Sequence, residues 1–268
     1  MRIYHYTSLE SLALILQNKT IRFNRLDKVD DLEEGNVESL GIKFCKYIFV
    51  SCWTEDENEN IPLWKMYGGD WGGVRISMEK EMFREYSIPR KFIHPKLEIV
   101  GCFQYKIPLE DFQNPEFSIY PVSEYDHLFY RNIEYKEDIF LHTKDAIQDN
   151  DNELSINIEA FGTYKNKRWK FQNESRFVLY ILPYNLLVKS NYSVENVTIA
   201  KKALMEGKEL SFNYYDMQLK EEAINSMEIT LSPSITEAQR IIVEALKDKY
   251  APQAKILDST LGKIVRLK

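Results

Sequence analysis

The sequence predicts an α+β fold built as one domain over residues 1–268. Three observations lead there. Hydrophobic residues make up 44% and charged residues 28% of the 268, the balance of a soluble globular chain with a core large enough to need no disulfide staples. Short apolar and aromatic runs alternate with segments of helical periodicity. No internal repeat and no Pro/Gly/Ser-rich linker divides them. These bounds exclude wholesale disorder, a collagen-like repeat and a disulfide scaffold. Thirty-five basic against 41 acidic residues leave a net charge of −6, so the chain is no polycation for duplex nucleic acid. Aromatics reach 13%, enough to fill a core or to line a cleft for flat rings.

Ile3 to Tyr6 reads as an opening strand. The leading Met1-Arg2-Ile3-Tyr4-His5-Tyr6-Thr7 lacks the basic, apolar and small-residue regions of a secretory signal. No run of about 18 apolar residues offers a membrane span. Cys45, Cys52 and Cys102 show no C-x-x-C spacing. The expectation is a cytoplasmic protein with reduced, buried thiols, no zinc site and no membrane contact.

Thr7-Ser8-Leu9-Glu10 matches a capping box, and Leu9, Leu12, Ala13 and Leu16 then recur at helical spacing, with Asn18 as the stop. Thr20 to Phe23 reads as a second strand. Asp30, Asp31, Glu33, Glu34 and Glu38 predict a solvated acidic loop. Tyr47 to Trp53 is a buried strand, and Pro62 suits the first turn of a helix carrying Trp64 and Tyr67. The glycines from Gly68 to Gly73 predict a turn into a strand at Val74 to Met78. A helix is expected from Glu79, β structure at Leu97 to Ile107, and an insert-like helical middle over about 111–165, with helical character at Glu137 to Ile147. Asn150-Asp151-Asn152 predicts a turn.

Lys165, Lys167, Arg168 and Lys170 surround Trp169 and read as a solvated basic face before a strong strand, Ser175 to Leu182. Val194 to Ala200 is expected as another strand, with a helix in part of Tyr215 to Ser226. Ser234-Ile235-Thr236-Glu237 opens a last helix with Ile241, Ile242, Ala245 and Leu246 on one face. Lys255 to Asp258 and Lys263 to Leu267 close the chain as short strands. Neither a phosphate-binding G-x-x-x-x-G-K-[ST] loop, nor H-E-x-x-H, nor a G-x-S-x-G elbow is present.

Several segments, taken in order, resemble one bacterial family. They are Tyr4-His5-Tyr6-Thr7; Asp30-Asp31-Leu32-Glu33-Glu34; Val50-Ser51-Cys52-Trp53 running on to Leu63-Trp64-Lys65-Met66-Tyr67 and Gly73-Val74; and Asn173-Glu174-Ser175-Arg176-Phe177. Leu231-Ser232-Pro233-Ser234 and Leu257-Asp258-Ser259-Thr260 follow in the tail. The set resembles the prokaryotic domain-of-unknown-function family twenty-nine seventy-one over nearly the whole chain. It departs from that family's Asn-Asp-Pro at Asp30-Asp31-Leu32 and from its Ser-Phe-Ser at Cys52-Trp53.

A histidine on the first strand, aromatics mid-chain and a glutamate on a late strand are also distantly similar to ADP-ribosyltransferases of the His-Tyr-Glu type. That resemblance implies a split mixed or antiparallel β core flanked by helices. It implies NAD as substrate, no metal, and a toxin or phage-defence effector that modifies a protein or nucleic-acid acceptor. In the diphtheria-toxin-like class two tyrosines separated by ten residues sandwich the nicotinamide, and Trp53 and Trp64 have that spacing here.

Breaking the nicotinamide–ribose bond passes through an oxocarbenium-like transition state. Glu174 is the expected catalytic carboxylate, stabilising that charge. The NAD-binding candidates are His5 as a neutral donor to the ribose, Tyr6, Thr7, Trp53, Trp64 and Tyr67 around the nicotinamide, and Arg22 and Arg176. Arg22, Lys165, Lys167 or Arg168 would neutralise the diphosphate. Each has a bland counterpart. His5 also suits a hydrogen-bonded structural role, Trp64 and Tyr67 a core pair, and Glu174 with Arg176 an ion pair on one strand face. The competing function is a non-catalytic module that binds a nucleotide or single-stranded nucleic acid through the same aromatic cleft. Oligomeric state is not encoded in any recognisable signal.

Overall fold

The two strands the sequence marks as most apolar take the centre of the sheet, because both of their faces are covered. The computed structural model describes residues 1–69, 72–94, 97–120, 126–150, 153–184 and 194–265. β1 (Arg2–Thr7), α1 (Leu9–Asn18) and β2 (Thr20–Arg25) open the chain. α2 (Leu32–Gly35), β3 (Ile48–Thr54), α3 (Ile61–Tyr67) and β4 (Val74–Glu79) follow. β5 (Tyr86–His94) and β6 (Leu97–Tyr105) form a hairpin. The middle holds α4 (Leu109–Phe112), β7 (Ser118–Tyr120), α5 (Asp126–Phe129), β8 (Tyr130–Asn132), β9 (Glu134–Lys136), α6 (Phe140–Thr143), β10 (Ile147–Asn150), β11 (Glu153–Ile156) and β12 (Tyr164–Asn166). Then come β13 (Glu174–Leu182), α7 (Val194–Met205), β14 (Tyr214–Gln218), α8 (Glu221–Asn225), β15 (Glu228–Leu231), α9 (Glu237–Tyr250) and β16 (Lys255–Leu257).

This is an α+β fold in which helices flank a ten-stranded mixed sheet. Its main path runs β14-β2-β3-β1-β4-β15-β16, and the one parallel pairing in it is β15 with β16. β13 pairs with β3 along its length, from Glu174 opposite Thr54 to Tyr180 opposite Ile48. β7 and β8 extend the far edge of β13. The other edge of β3 is divided. β2 pairs only with its start, at Phe49 and Val50, and β1 only with its end, at Thr54. Between them Ser51, Cys52 and Trp53 face a gap where β1 and β2 part.

Strand alternation sorts the side chains. Ile3, Phe49, Trp53, Ile76 and Phe177 join one buried cluster with α1 and α9. Ile48, Val50, Val178 and Tyr180 join another, under α2 and the middle segment.

Several expectations are corrected. The helix expected from Glu79 is a turn into the β5–β6 hairpin, whose register runs from Tyr86 opposite Tyr105 to His94 opposite Leu97. The helical middle is mostly short strands, and only Phe140–Thr143 of Glu137 to Ile147 is helical. Val194 to Ala200 is the first half of a helix, since local β-branched residues are weak determinants against tertiary context. The helix expected in part of Tyr215 to Ser226 is present as Glu221–Asn225, after the strand Tyr214–Gln218.

The helix caps shift by one or two residues. Ser8, not Thr7, caps α1, because Thr7 still pairs with Val74 in the sheet. Thr236 and Gln239 form the capping box of α9. That helix buries Val243, while Ile241 and Ile242 face outward. Thr260–Lys263 is a 3-10 turn, so no strand starts there, and 266–267 of the expected last strand lie outside the described residues. So do Asp151 and Asn152 of the expected turn, and Asp70 and Trp71 of the glycine-rich one. The thiols expected to be buried are so only in part: Cys45 is buried, Cys52 half-buried and Cys102, on β6, exposed. Among the described residues no helix is long and apolar enough to cross a membrane.

The turn before β4 is held by close approach. A Cβ built on Gly73 would lie 2.2 Å from the Thr7 carbonyl oxygen and 2.8 Å from the Gly68 backbone. Gly73→Ala is therefore expected to lower stability by about 1–3 kcal/mol, the usual cost of overpacking, read as a drop in urea midpoint. An unchanged midpoint would refute this account of the turn.

Candidate functional site

The parting of β1 and β2 opens a cavity of about 280 Å³. β1 supplies Tyr4, His5 and Tyr6, and β2 supplies Arg22 and Asn24. β3 forms its back with Val50 to Thr54. Leu63 and Tyr67 come from α3, Lys165 from β12, and Gln172, Glu174 and Arg176 from the approach to β13 and its first turns. Most of the sequence-predicted candidates therefore meet at one place. The exceptions are Thr7, buried in the β1–β4 ladder, Trp64, and the exposed Lys167 and Arg168, none of which lines it.

A closed network of charges makes one wall. Glu174 and Arg176 are i, i+2 on β13 and share a face. Arg176 is 1% exposed. It gives Nε and Nη2 to Glu174 Oε1 at 2.8 and 2.5 Å, and Nη1 to Glu34 Oε1 at 2.5 Å. Lys165 gives its ammonium to Glu174 Oε2 and to Gln172 Oε1, both at 2.7 Å. Burial alone would raise the Glu174 carboxyl, but Arg176 and Lys165 hold it down at about 2, so it is ionised at neutral pH. Burial pulls the Lys165 ammonium down, and Glu174 more than offsets that. Burial raises Glu34 despite its contact with Arg176. The Cys52 thiol, hydrogen-bonded to Glu174, is pushed well above its usual range, first by burial and then by that carboxylate. It is a thiol, not a nucleophile.

The acidic segment supplies one of the two carboxylates of this network, Glu34, so the solvated loop is corrected. The Asp31 side chain accepts from the Glu33 and Glu34 amides and caps α2. That cap turns Glu34 inward until it is 2% exposed. The basic run is corrected in part as well, since Lys165 is buried while Lys167, Arg168 and Lys170 remain exposed.

The opposite wall is aromatic. Tyr67 gives its hydroxyl to Asp30 Oδ2 at 2.5 Å and accepts from Gln172 Nε2 at 2.8 Å. Tyr6 accepts from the Asn60 amide at 2.8 Å and packs edge-on against Trp64, ring centroids 4.9 Å apart. Trp64 is fully buried behind Tyr6 and gives Nε1 to Glu59 Oε2 at 2.9 Å. Glu59 also accepts from Ser259 and Thr260, so the tail motif straps the aromatic wall from behind. Trp53 and Trp64 thus do not face each other across the cavity, and the expected ten-residue sandwich is absent. A helix turn places Tyr67 at the cavity and points Trp64 into the core.

His5 and Trp53 lie on the other sheet face from Glu174, their rings 5.1 Å apart. The cavity takes in both faces because the sheet is open there. His5 Nδ1 lies 2.7 Å from the Cys52 carbonyl oxygen, which faces the gap with no strand partner. A carbonyl only accepts, so Nδ1 carries the proton and Nε2 of the neutral ring is an acceptor. Burial lowers the imidazole's basicity and favours that neutral form. The expected neutral donor is therefore corrected: the nitrogen left free is an acceptor. Arg22 is likewise engaged, giving Nε and Nη2 to Asp216 at 2.9 Å each and lying 3.6 Å from the Tyr214 ring centroid.

Sequence reasoning missed Glu34 as the partner of Arg176, and Asp30 and Gln172 as wall residues. The Asp31 cap with the buried Arg176 was the only signal for the first, and nothing local marked the other two. Among the described residues no group of His, Cys, Asp and Glu side chains is arranged to hold a metal.

The depressed Glu174 carboxyl makes a pH prediction. Its folded value of about 2 lies below the ordinary 4.5, so its stabilisation is complete above the ordinary value and is lost as pH falls from there towards 2. Glu174→Gln is expected to flatten this acid limb in urea melts taken across that window. At neutral pH it should cost about 3–5 kcal/mol, the usual result of breaking a buried pair. A mutant acid limb as steep as the wild type would show that another carboxylate carries it.

Residues 63–177 match the model of a family described as "Protein of unknown function (DUF2971)". No curated protein and no solved structure matches the chain. The matched segment runs from α3 into β13, and so contains Tyr67, Lys165, Gln172, Glu174 and Arg176 of the cavity but not β1 to β3. Over that segment the chain is similar to the domain-of-unknown-function family that its motifs resemble.

Proposed function

We propose that the chain is an NAD-dependent mono-ADP-ribosyltransferase-like protein acting on a protein or nucleic-acid acceptor. The observation that carries the reading is that His5, Tyr67 and Glu174, 62 and 107 residues apart in sequence, line one cavity at the opening of a sheet. Their chemistry suits cleavage of the nicotinamide–ribose bond. That bond's electron pair leaves with nicotinamide, now neutral. The acceptor's nucleophile bonds to the anomeric carbon and releases its proton. Positive charge grows on the ribose between these events.

An ionised Glu174, kept so by Arg176 and Lys165, is a fixed negative charge for that transition state. His5 Nε2 accepts a ribose hydroxyl, and the tyrosines of the far wall offer ring surface to nicotinamide. The leaving group's chemistry is the substrate's own.

A second reading is favoured by one observation. Both Glu174 oxygens are already engaged, by Arg176 and Lys165, which suits a non-catalytic nucleotide- or single-stranded nucleic-acid-binding module. NAD labelled in its adenylate half separates the two. The transferase reading expects nicotinamide release and label on macromolecules in lysate, both reduced at least about 100-fold in Glu174→Gln, a typical loss for a transition-state charge contact. Circular dichroism checks that the variant is folded, and Tyr67→Phe, which keeps the ring, is expected to retain release. Binding of NAD without nicotinamide release would establish the second reading instead.

A further inference from the structure

The cavity is lined by three cations among the described residues, Arg22, Lys165 and Arg176, and every one is held by carboxylates. Arg22 is bidentate on Asp216. Lys165 is on Glu174, and Arg176 is shared between Glu174 and Glu34. Asp30 and Glu174 line the cavity with them, while Glu34 and Asp216 hold Arg176 and Arg22 from outside it. A phosphate entering this space would have to take a guanidinium or ammonium from a carboxylate already bonded to it.

Acceptors, in contrast, have capacity left. His5 Nε2 is an acceptor because Nδ1 gives its proton to the Cys52 carbonyl. Exposed Asp30 takes the Tyr67 hydroxyl on one oxygen. At about 280 Å³ the cavity is at the small end of ligand sites, which run from roughly 300 to 1,000 Å³. That is room for a nucleoside.

We infer that the cleft recognises only the nucleoside end of its ligand: a neutral or cationic nucleoside whose hydroxyl and amino donors meet His5 Nε2 and the wall carboxylates, with no phosphate held inside. This rests on the transferase reading only in its choice of nicotinamide riboside as first probe. It separates this cleft from sites that grip a dinucleotide by its diphosphate, where affinity climbs with each phosphate and falls with salt.

Calorimetric titration of the wild-type chain with nicotinamide riboside, nicotinamide mononucleotide, NAD and adenosine, at low and at high salt, tests the inference. The riboside is expected to bind within about threefold of NAD, with affinity little changed by salt. One charge-assisted phosphate contact would give about tenfold or more. NAD binding at least tenfold more tightly than the riboside, with a loss at high salt, overturns the inference and leaves the transferase reading standing. Adenosine binding while nicotinamide riboside and nicotinamide mononucleotide fail overturns the transferase reading and supports the inference. Silence from all four overturns both.

Discussion

A guanidinium removed from water dictates much of this structure. Arg176 sits on a central strand covered on both faces, at 1% exposure, and an uncompensated charge there would cost several kcal/mol. Its compensation comes from three separate stretches of chain. Glu174 is two residues away on the same face, Glu34 arrives from the acidic segment, and Lys165 balances the second oxygen of Glu174. Drawing Glu34 inward needs α2, and α2 is a single turn that stands on the Asp31 cap. The burial of one arginine therefore folds the acidic segment against β13 and holds β12 beside it. Those are the pieces that close the cavity on one side.

The other side follows from a missing strand contact. β1 and β2 are joined through α1, and each reaches β3 at a different end. The three residues between would leave backbone groups without partners, which a protein interior does not tolerate. His5 resolves this by giving Nδ1–H to the Cys52 carbonyl. The same hydrogen bond that completes the sheet sets the histidine's tautomer, and with it the chemistry its free nitrogen offers the cavity. A structural role for His5 thus does not exclude a ligand-binding one, since it occupies one ring nitrogen and leaves the other free.

What was legible in the sequence follows the same physics. β1, β2, β3, β4 and β13 were readable to within about two residues at either end, because half or more of each is buried and the pattern is strongly apolar. α1 was readable from its periodicity. The cap one residue off and the outward turn of Ile241 and Ile242 reflect how little a local pattern says about which flank meets a neighbour. α7 was misread because its β-branched residues suggested a strand. The candidate site was legible where residue type alone restricts chemistry, as for His5, Glu174 and Tyr67. Glu34, Gln172 and the inward lysine were illegible, since nothing local distinguishes a carboxylate that pairs across 142 residues from one that faces water.

The network also bears on what the cavity is for. Buried ion pairs are poor sources of stability, and well-packed apolar groups of similar size often do as well or better. A chain that needed only a core at this point would have no use for two carboxylates, a guanidinium and an ammonium beside an open space. What such a set does supply is orientation, because every donor and acceptor in it is directional. Arg176 holds one Glu174 oxygen with two N–H groups and Lys165 holds the other, so the carboxylate can neither rotate nor take up a proton near neutral pH. A charge that is fixed in place and kept ionised costs no reorganisation when a neighbouring group becomes positive. The price of that rigidity is that the cations beside it are already engaged, and a wall built this way favours ligands that bring their own positive charge or their own donors.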